Sequence, residues 1–141
     1  MPLGAFIASK EIMSCLSVNP ALGHITTFGG HPVCCAAGLA AFEYLKKNKL
    51  AEQAGPKGLL FKQLLVNKTI KEIRGKGLLL AVDLGCADKV TRVIQLALEK
   101  GIILDYFLFC NTAFRIAPPL IITEEEIHHC CSLLNEVLTQ V

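Results

Sequence analysis

The stretch Ile70–Leu84, IKEIRGKGLLLAVDL, decides the fold of this chain because the spacing of its apolar residues changes there from helical to extended. Its two halves are rich in isoleucine, leucine and valine, and Gly75 and Gly77 lie between them. Such runs, separated by glycine, are typical of strands, and a glycine inside a strand also fits a bulge. The stretch therefore predicts two strands or one long strand with a bulge.

The segments after this stretch predict one more helix and two more strands. Ala87–Gly101 has apolar residues at helical spacing, and its final glycine is a favoured helix stop. The apolar stretches at residues 102–110 and 113–119 predict two strands, and we expect Asn111-Thr112 to join them.

Two further helices flank this region. Residues 50–66 have a helical pattern, but Gly55-Pro56 should kink or split it, because proline removes a helical hydrogen bond. The last helix starts with a capping box formed by Thr123 and Glu126. From residue 70 onward the order is strand, helix, strand, strand, helix. It predicts the α+β class, with a small sheet covered by helices.

Residues 1–50 do not complete a comparable unit. Residues 3–9 predict a short buried strand, and Ser9 is placed to cap a brief helix. Pro32 opens a longer helix whose first half is apolar on all sides, so we expect it to begin buried, with Gly38 close to another backbone. One strand is too little sheet to cover this helix. This excess of apolar helix surface over sheet suggests that part of a larger domain is missing.

Composition and charge exclude several classes of function. The net charge is only +2, and no basic stretch is interleaved with aromatic residues, so we expect no nucleic-acid partner. The longest apolar run, residues 33–42, is too short to cross a bilayer, and the chain opens without a signal-peptide pattern. We therefore expect a cytoplasmic protein without a membrane partner. Since 52% of its residues are hydrophobic, some apolar surface should face a partner.

The seven cysteines form an odd set without CxxC spacing, which argues against a disulfide framework or a zinc site. The cluster His128-His129-Cys130-Cys131 is the most suggestive of a metal. However, helical spacing puts both cysteines on the apolar face of the last helix and both histidines on the other. We expect reduced, buried thiols and no metal.

The stretch His24–Pro32, HITTFGGHP, is the first candidate site. Glycines let a backbone approach a ligand closely, Thr26 and Thr27 offer hydroxyl groups, and a helix N-terminus favours an anion. A phosphate is the natural ligand of such a turn. The stretch matches neither a Walker loop nor a dinucleotide fingerprint, so a plain glycine turn into a helix is the alternative.

Arg115, in the stretch FRIAPPLIITEEE, is the second candidate. A guanidinium held on a strand and followed by the rigid Pro118-Pro119 pair can bind a carboxylate with two parallel hydrogen bonds. The alternative is an arginine that simply points outward from a half-buried strand. Arg74, in EIRGKG, raises the same question, and the structural alternative is stronger there.

Four segments, MPLGAFIAS, HITTFGGHPVCCAAGLAAF, EIRGKGLLLAVDL and FRIAPPLIITEEE, occur in the order and approximate spacing of one known family. The chain resembles the C-terminal portion of class-III pyridoxal-phosphate-dependent aminotransferases, and most of all the ornithine and acetylornithine aminotransferase group. The resemblance covers essentially all of the chain. It implies the C-terminal small α+β domain of a fold-type-I enzyme, with α/β character at the N-terminal edge.

The resemblance also implies roles for individual residues. In this family the hydroxyl pair before the glycine turn binds the phosphate of pyridoxal phosphate across a homodimer interface, which implies this role for Thr26 and Thr27, above all Thr27. The arginine before Ala-Pro-Pro binds the substrate α-carboxylate, which implies this role for Arg115. His31 stands where asparagine is common, a departure that concerns the local turn.

One departure from the family concerns catalysis. The family's Schiff-base lysine lies just upstream of the segment that Met1 begins, as do the aspartate for the pyridine nitrogen and the aromatic residue that stacks on the ring. None of Lys10, Lys57 and Lys76 matches the lysine position. We therefore expect no catalytic residue in this chain, which should be inactive alone and should not hold pyridoxal phosphate covalently.

The implied parent function is amino-group transfer between an ornithine-like or other ω-amino donor and a 2-oxo acid such as 2-oxoglutarate. Residues 1–50 would be an edge of the large cofactor-binding domain with the interdomain helix, and residues 51–141 the small domain. The alternative is a non-catalytic binding or dimerisation module derived from the same family.

Overall fold

The computed structural model describes residues 1–19, 21, 23 and 25–141, and it divides into two compact units, Met1–Asn48 and Lys49–Val141. The described residues of the first unit form two helices, α1 (Lys10–Ser14) and α2 (Pro32–Lys47). Ser9 caps α1 as expected, because its hydroxyl accepts a hydrogen bond from the Ile12 amide at 3.3 Å.

Three expectations for the first unit are wrong. Residues 3–9 form no strand, and Ile7 is 95% exposed, since the described part of this unit offers no neighbouring strand to pair with. Helix α2 begins at Pro32 as predicted but fully buries no residue, because the described part of its unit covers its apolar half only in part. A side chain at Gly38 would meet the side chain of Leu3 and not another backbone.

The second unit contains a four-stranded sheet and three helices. The strands are β1 (Glu72–Lys76), β2 (Leu79–Asp83), β3 (Asp105–Phe107) and β4 (Cys110–Ile116), and the helices are α3 (Leu50–Leu64), α4 (Ala87–Glu99) and α5 (Glu124–Leu138). The sheet order is β1-β2-β4-β3, and every neighbouring pair is antiparallel. This small antiparallel sheet with helices confirms the predicted α+β class.

The core of the second unit lies between the helices and one face of the sheet. Its largest fully buried side chains are Phe61, Leu80, Phe114, Ile127, Leu134 and Leu138. Because strand residues alternate in direction, the neighbours of Leu80 and Phe114 point to the opposite face. That opposite face carries Arg74, Ala81 and Arg115.

The helix ends of this unit follow the predicted chemistry. Thr123 and Glu126 form both hydrogen bonds of the capping box, at 2.8 and 3.1 Å. Gly101 follows α4 with a positive φ of 81°, the left-handed conformation that glycine adopts most easily. Helix α3 stays continuous through Pro56, so the alternative of a split helix is wrong; packing of Phe61 in the core offsets the one hydrogen bond lost.

The strands also show one difference from the sequence-based expectation. Ile70–Leu84 forms two strands, the first of the two alternatives. The turn between β3 and β4 lies at Leu108-Phe109, whereas Asn111 and Thr112 are inside β4. The predicted turn is therefore wrong by three residues. The observed turn consists of two large apolar residues, which are not typical turn residues. Asn111-Thr112 has the polar composition that is typical of turns, and it therefore misled the prediction.

Two observations bear on partners. In the part of the chain that the model describes, no helix is both long and apolar enough to cross a bilayer. Across those same residues, no group of three or more histidine, cysteine or acidic side chains is placed to hold a metal ion.

Candidate functional site

The turn that carries Thr26 and Thr27 leads directly into α2. The amide of Gly29 donates to the carbonyl oxygen of Thr26 at 3.3 Å, and the amide of His31 donates to that of Phe28 at 3.2 Å. Gly30 has a φ of 69°, and a side chain at Gly29 would collide with the hydroxyl of Thr26. Both glycines are therefore required by the geometry of this turn.

The two threonine side chains are exposed, and within the described part of the chain neither hydroxyl makes a hydrogen bond. His31 is the N-cap residue of α2 and makes no side-chain capping hydrogen bond, whereas an asparagine there could make one. Hydroxyl groups without partners beside a helix N-terminus form a donor set for an anion. The chemistry of these hydroxyl groups suits an anionic group such as a phosphate.

Arg115 belongs to a row of residues that crosses the whole sheet. The register pairs Arg74 with Ala81, Ala81 with Arg115, and Arg115 with Asp105. Directly opposed residues share one face of a sheet, so two guanidinium groups flank the small side chain of Ala81. A concavity of about 660 Å³ lies over this row, and the β3–β4 hairpin forms its other wall.

Arg74 is held by several groups of its own unit. Its Nη1 lies 2.9 Å from Asp83 Oδ2 and 3.1 Å from Glu72 Oε2, and its Nη2 lies 3.2 Å from Cys110 Sγ. The hydrogen bond from Arg74, with a second one from the Gly85 amide, lowers the pKa of Asp83 below its usual value. The hydrogen bonds that Arg74 donates to Asp83 and Glu72 raise the pKa of Arg74. Arg74 therefore has a structural role in this sheet.

Among the residues that the structure describes, Arg115 has a single acidic partner. Its Nη2 lies 2.7 Å from Asp105 Oδ2, and its side chain is 41% exposed. A guanidinium group has five N–H donors, so one hydrogen bond to Asp105 leaves capacity for a second carboxylate. Among the described residues, Arg115 therefore has fewer acidic partners than Arg74.

The backbone that follows Arg115 is fixed from the side of α3. The ammonium group of Lys57 donates to the carbonyl oxygen of Leu120 at 3.0 Å, just after the Pro118-Pro119 pair. This contact links α3 to the segment that leaves β4, and it engages Lys57 in a structural hydrogen bond.

Sequence reasoning missed the acidic partners of both arginines. Asp83 could have been found from the hairpin, because a tight β1–β2 connection places it on the same face as Arg74, near its own pair Glu72. Asp105 could not be predicted as the partner of Arg115 because the β3–β4 turn was predicted at the wrong residues. A turn at Asn111-Thr112 would pair residue 105 with residue 118 and not with Arg115.

The expectation of buried thiols is wrong for most of the cysteines, since Cys15 and Cys35 are exposed and only Cys131 is fully buried; the two cysteines of α5 do lie on the predicted face. Cys131 is buried and Cys130 half-buried on the inner face of α5, whereas His128 and His129 are exposed. Burial raises the pKa of Cys131 to about 12, so this thiol stays protonated and unreactive at neutral pH.

Thr26 and Thr27 belong to the first compact unit and Arg115 to the second. The first unit offers hydroxyl donors and the second a guanidinium group.

Comparison with known proteins identifies the family. The family model for class-III aminotransferases matches residues 1–138. The chain is 34% identical to the acetylornithine aminotransferase of Caldanaerobacter subterraneus over 99% of its own length and 35% of that protein. It is 33% identical to the ornithine aminotransferase of Staphylococcus carnosus, covering 99% of the chain and 34% of that protein. The chain thus spans about a third of the length of the curated relatives it matches.

Solved structures agree with these relatives. An ornithine aminotransferase from Toxoplasma gondii, whose active site is partly occupied by pyridoxal phosphate, superposes with a TM-score of 0.79 at 33% identity. That match covers 93% of this chain and 31% of the other. An aminotransferase from Bacillus anthracis gives a TM-score of 0.76 at 32% identity, over 84% of this chain and 30% of its own. The chain belongs to the class-III aminotransferase family.

Proposed function

We propose that this chain is the C-terminal part of a pyridoxal-phosphate-dependent aminotransferase. The reaction would transfer an amino group between an ornithine-like or other ω-amino donor and a 2-oxo acid such as 2-oxoglutarate. The names of the relatives, acetylornithine and ornithine aminotransferase, support this class of donor. The observation that carries the proposal is the half-exposed guanidinium of Arg115, beside Ala81 on the open face of the sheet.

In this proposal Arg115 binds and orients the substrate α-carboxylate. A planar guanidinium matches a carboxylate with two parallel N–H donors, which fixes the direction of the substrate as well as its position. Strand β4 carries Arg115, and its pairing with both β2 and β3 fixes the backbone under it. Ala81 leaves room for the ligand because its side chain is a single methyl group.

Thr26 and Thr27 would bind the phosphate of pyridoxal phosphate through their hydroxyl groups. Within the described residues these hydroxyls make no hydrogen bond that the ligand would have to break. By analogy with the family, they would serve the cofactor of a neighbouring subunit, so the assembly would be a homodimer. When bound, the cofactor supplies the electron sink for the reaction.

The 141 residues on their own are proposed to be inactive. Covalent attachment of the cofactor requires a lysine amine, and none of Lys10, Lys57 and Lys76 matches the family position. Lys57 is also engaged with the carbonyl oxygen of Leu120. Residues 1–50 would then contribute an edge of the large domain with the interdomain helix, and residues 51–141 the small domain. Free thiols at all seven cysteines suit a reducing compartment such as the cytoplasm.

Chemical trapping tests the proposal that this chain contains no Schiff-base lysine. The chain is incubated with pyridoxal phosphate, reduced with borohydride and mapped by mass spectrometry. We expect scattered, substoichiometric labelling and no visible absorption band after dialysis. Stoichiometric labelling of one lysine, lost when that lysine is changed to alanine, would contradict the proposal.

A ligand titration tests the role of Arg115. Glutarate, which has the two carboxylates of 2-oxoglutarate without its ketone, is titrated into the chain while the arginine Nε–Hε resonances are followed by NMR. We expect the Arg115 resonance to shift and saturate, and Arg115→Lys to weaken binding about tenfold or more, because lysine cannot bind a carboxylate with two parallel hydrogen bonds. Arg92→Lys, at an exposed arginine of α4, is the control and should leave binding unchanged. Equal binding by Arg115→Lys and the unaltered chain would refute the role of Arg115.

A further inference from the structure

The guanidinium group of Arg115 is already in contact with a carboxylate of its own chain. We propose that Asp105 is an intramolecular competitor that occupies Arg115 and sets its affinity for external carboxylates. This proposal rests on the proposed role of Arg115 in substrate binding. It assigns a specificity-determining role to a residue of the edge strand β3.

The carboxylate of Asp105 is oriented by two contacts. Its Oδ1 accepts a hydrogen bond from the Tyr106 amide at 2.8 Å, and its Oδ2 lies 2.7 Å from Arg115 Nη2. The register places Asp105 directly opposite Arg115 in the antiparallel β3–β4 pair. A carboxylate with one oxygen fixed by its own backbone loses little freedom in reaching the neighbouring strand. In the absence of a ligand, the Asp105 carboxylate therefore remains paired with the Arg115 guanidinium group.

The pair is nevertheless weak enough to be displaced. The Asp105 side chain is 57% exposed and that of Arg115 41%, and solvent-exposed ion pairs contribute little free energy. Arg74 provides the contrast within the same sheet. It is bound by two acids, and one of them, Asp83, is only 18% exposed. An external carboxylate therefore competes with one exposed partner at Arg115 but with two partners at Arg74.

Both residues line the same concavity over the sheet, so a carboxylate bound there would lie close to both side chains. With Asp105 in place the local charge around Arg115 is balanced, and an incoming carboxylate meets a like charge beside its binding group. Without that charge the guanidinium attracts a carboxylate more strongly. The expected gain in affinity is about two- to fivefold, the range that an exposed ion pair supports.

Glutarate titrations of the full 141-residue chain test the competition. Asp105→Asn removes the charge and keeps the shape, and it should bind glutarate about two- to fivefold more tightly than the unaltered chain. Asp105→Glu restores the charge and should return the affinity towards the original value. Glu72→Gln changes the net charge by the same amount at Arg74 and should leave glutarate affinity unchanged. Unchanged or weaker binding by Asp105→Asn, or equal tightening by Glu72→Gln, would overturn the proposal.

A double variant separates this proposal from the proposed function. If Asp105→Asn binds more tightly and adding Arg115→Lys abolishes the gain, Asp105 acts through Arg115 as proposed. If Arg115→Lys abolishes binding but Asp105→Asn has no effect, only the competition fails. If Asp105→Asn tightens binding equally with arginine or lysine at position 115, both the competition and the role of Arg115 fail. The Arg115 Nε–Hε resonance in Asp105→Asn, which should move in the absence of any ligand, reports loss of the ion pair independently of affinity.

Discussion

At the scale of single residues, two arginines on one row of the sheet differ in how firmly their neighbours hold them. Arg74 is bound by Asp83, Glu72 and the thiol of Cys110, whereas within the described part of the chain Arg115 contacts one acid, Asp105. The same residue type, on the same face, is therefore held more firmly at one position than at the other. The number and burial of acidic partners make this difference.

The sequence could single out Arg115 as a candidate but could not predict its partner Asp105. A short motif, arginine before a rigid Pro-Pro pair, depends only on neighbours along the chain. The contact with Asp105 depends on strand register, and register depends on where the hairpin turns. The position of Asp105 could be predicted only after the turn at Leu108-Phe109 was known.

The depressed pKa of Asp83 predicts a stability that depends on pH. Its folded-state pKa lies below the ordinary value of 3.8, so its contribution is present above that value and is lost as pH falls through the folded-state pKa. We expect the free energy of unfolding, measured by urea denaturation, to decrease in this acid range. Asp83→Asn should make that decrease smaller, and Glu72→Gln, at the more exposed partner of Arg74, should change it less. An identical acid profile for Asp83→Asn and the unaltered chain would contradict the assignment.

At the scale of helices and strands, the sequence predicted where helices end but not which segments pack or pair with each other. Helix ends lie where the local chemistry predicts them, at Ser9, Pro32, Gly101 and Thr123. The predicted strand over residues 3–9 failed because a strand exists only when another strand pairs with it. Local pattern specifies what a segment can form, and the rest of the domain decides whether it does.

The capping box of α5 predicts a measurable loss of stability. Thr123→Ala removes the side-chain acceptor for the Glu126 amide, and we expect it to cost about 1 kcal/mol in free energy of unfolding. Thr123→Ser keeps the hydroxyl group and should recover most of that loss. Denaturant unfolding checks both variants. An equal loss for the serine and alanine variants would mean that the hydroxyl is not what stabilises this helix end.

Two glycines of α3 predict opposite effects of the same substitution. A side chain at Gly58 would collide with the carbonyl oxygen of Gly77 in the β1–β2 turn, whereas one at Gly55 would meet nothing within 4 Å. We expect Gly58→Ala to destabilise by about 1–3 kcal/mol, because the helix must move away from the sheet.

Gly55→Ala should be neutral or stabilise by up to about 1 kcal/mol, because alanine favours the helix. Thermal or denaturant unfolding of the two variants makes the comparison. Equal effects of the two substitutions would contradict the packing of α3 against the β1–β2 turn.

At the scale of the whole molecule, the two units differ in how much apolar surface they bury. The second unit has a continuous core, whereas no described residue of Met1–Asn48 is buried. The exposed apolar side chains of this first unit include Phe6, Ile7, Phe28, Leu39 and Phe42. Apolar surface on this scale is typical of an interface.

This surface predicts self-association of the 141-residue chain. We expect light scattering to show a mean mass that rises with concentration, because burying apolar side chains between copies is favourable. Phe6→Ser combined with Ile7→Ser should reduce the association. Phe109→Ser, at an equally exposed residue of the second unit, should reduce it less. A single monomeric species over a wide concentration range would contradict this prediction.

The central claim is that this chain carries the carboxylate-binding arginine of a class-III aminotransferase. The most direct test is an exchange in which these 141 residues replace the matching segment of the Caldanaerobacter acetylornithine aminotransferase, whose remaining sequence provides the other part of the enzyme. The measurement is the KM for 2-oxoglutarate with arginine and with lysine at position 115. We predict an active, cofactor-loaded enzyme in which Arg115→Lys raises that KM about tenfold or more, whereas Arg92→Lys does not. A folded, cofactor-loaded chimera whose KM is the same with either residue at position 115 would contradict the claim.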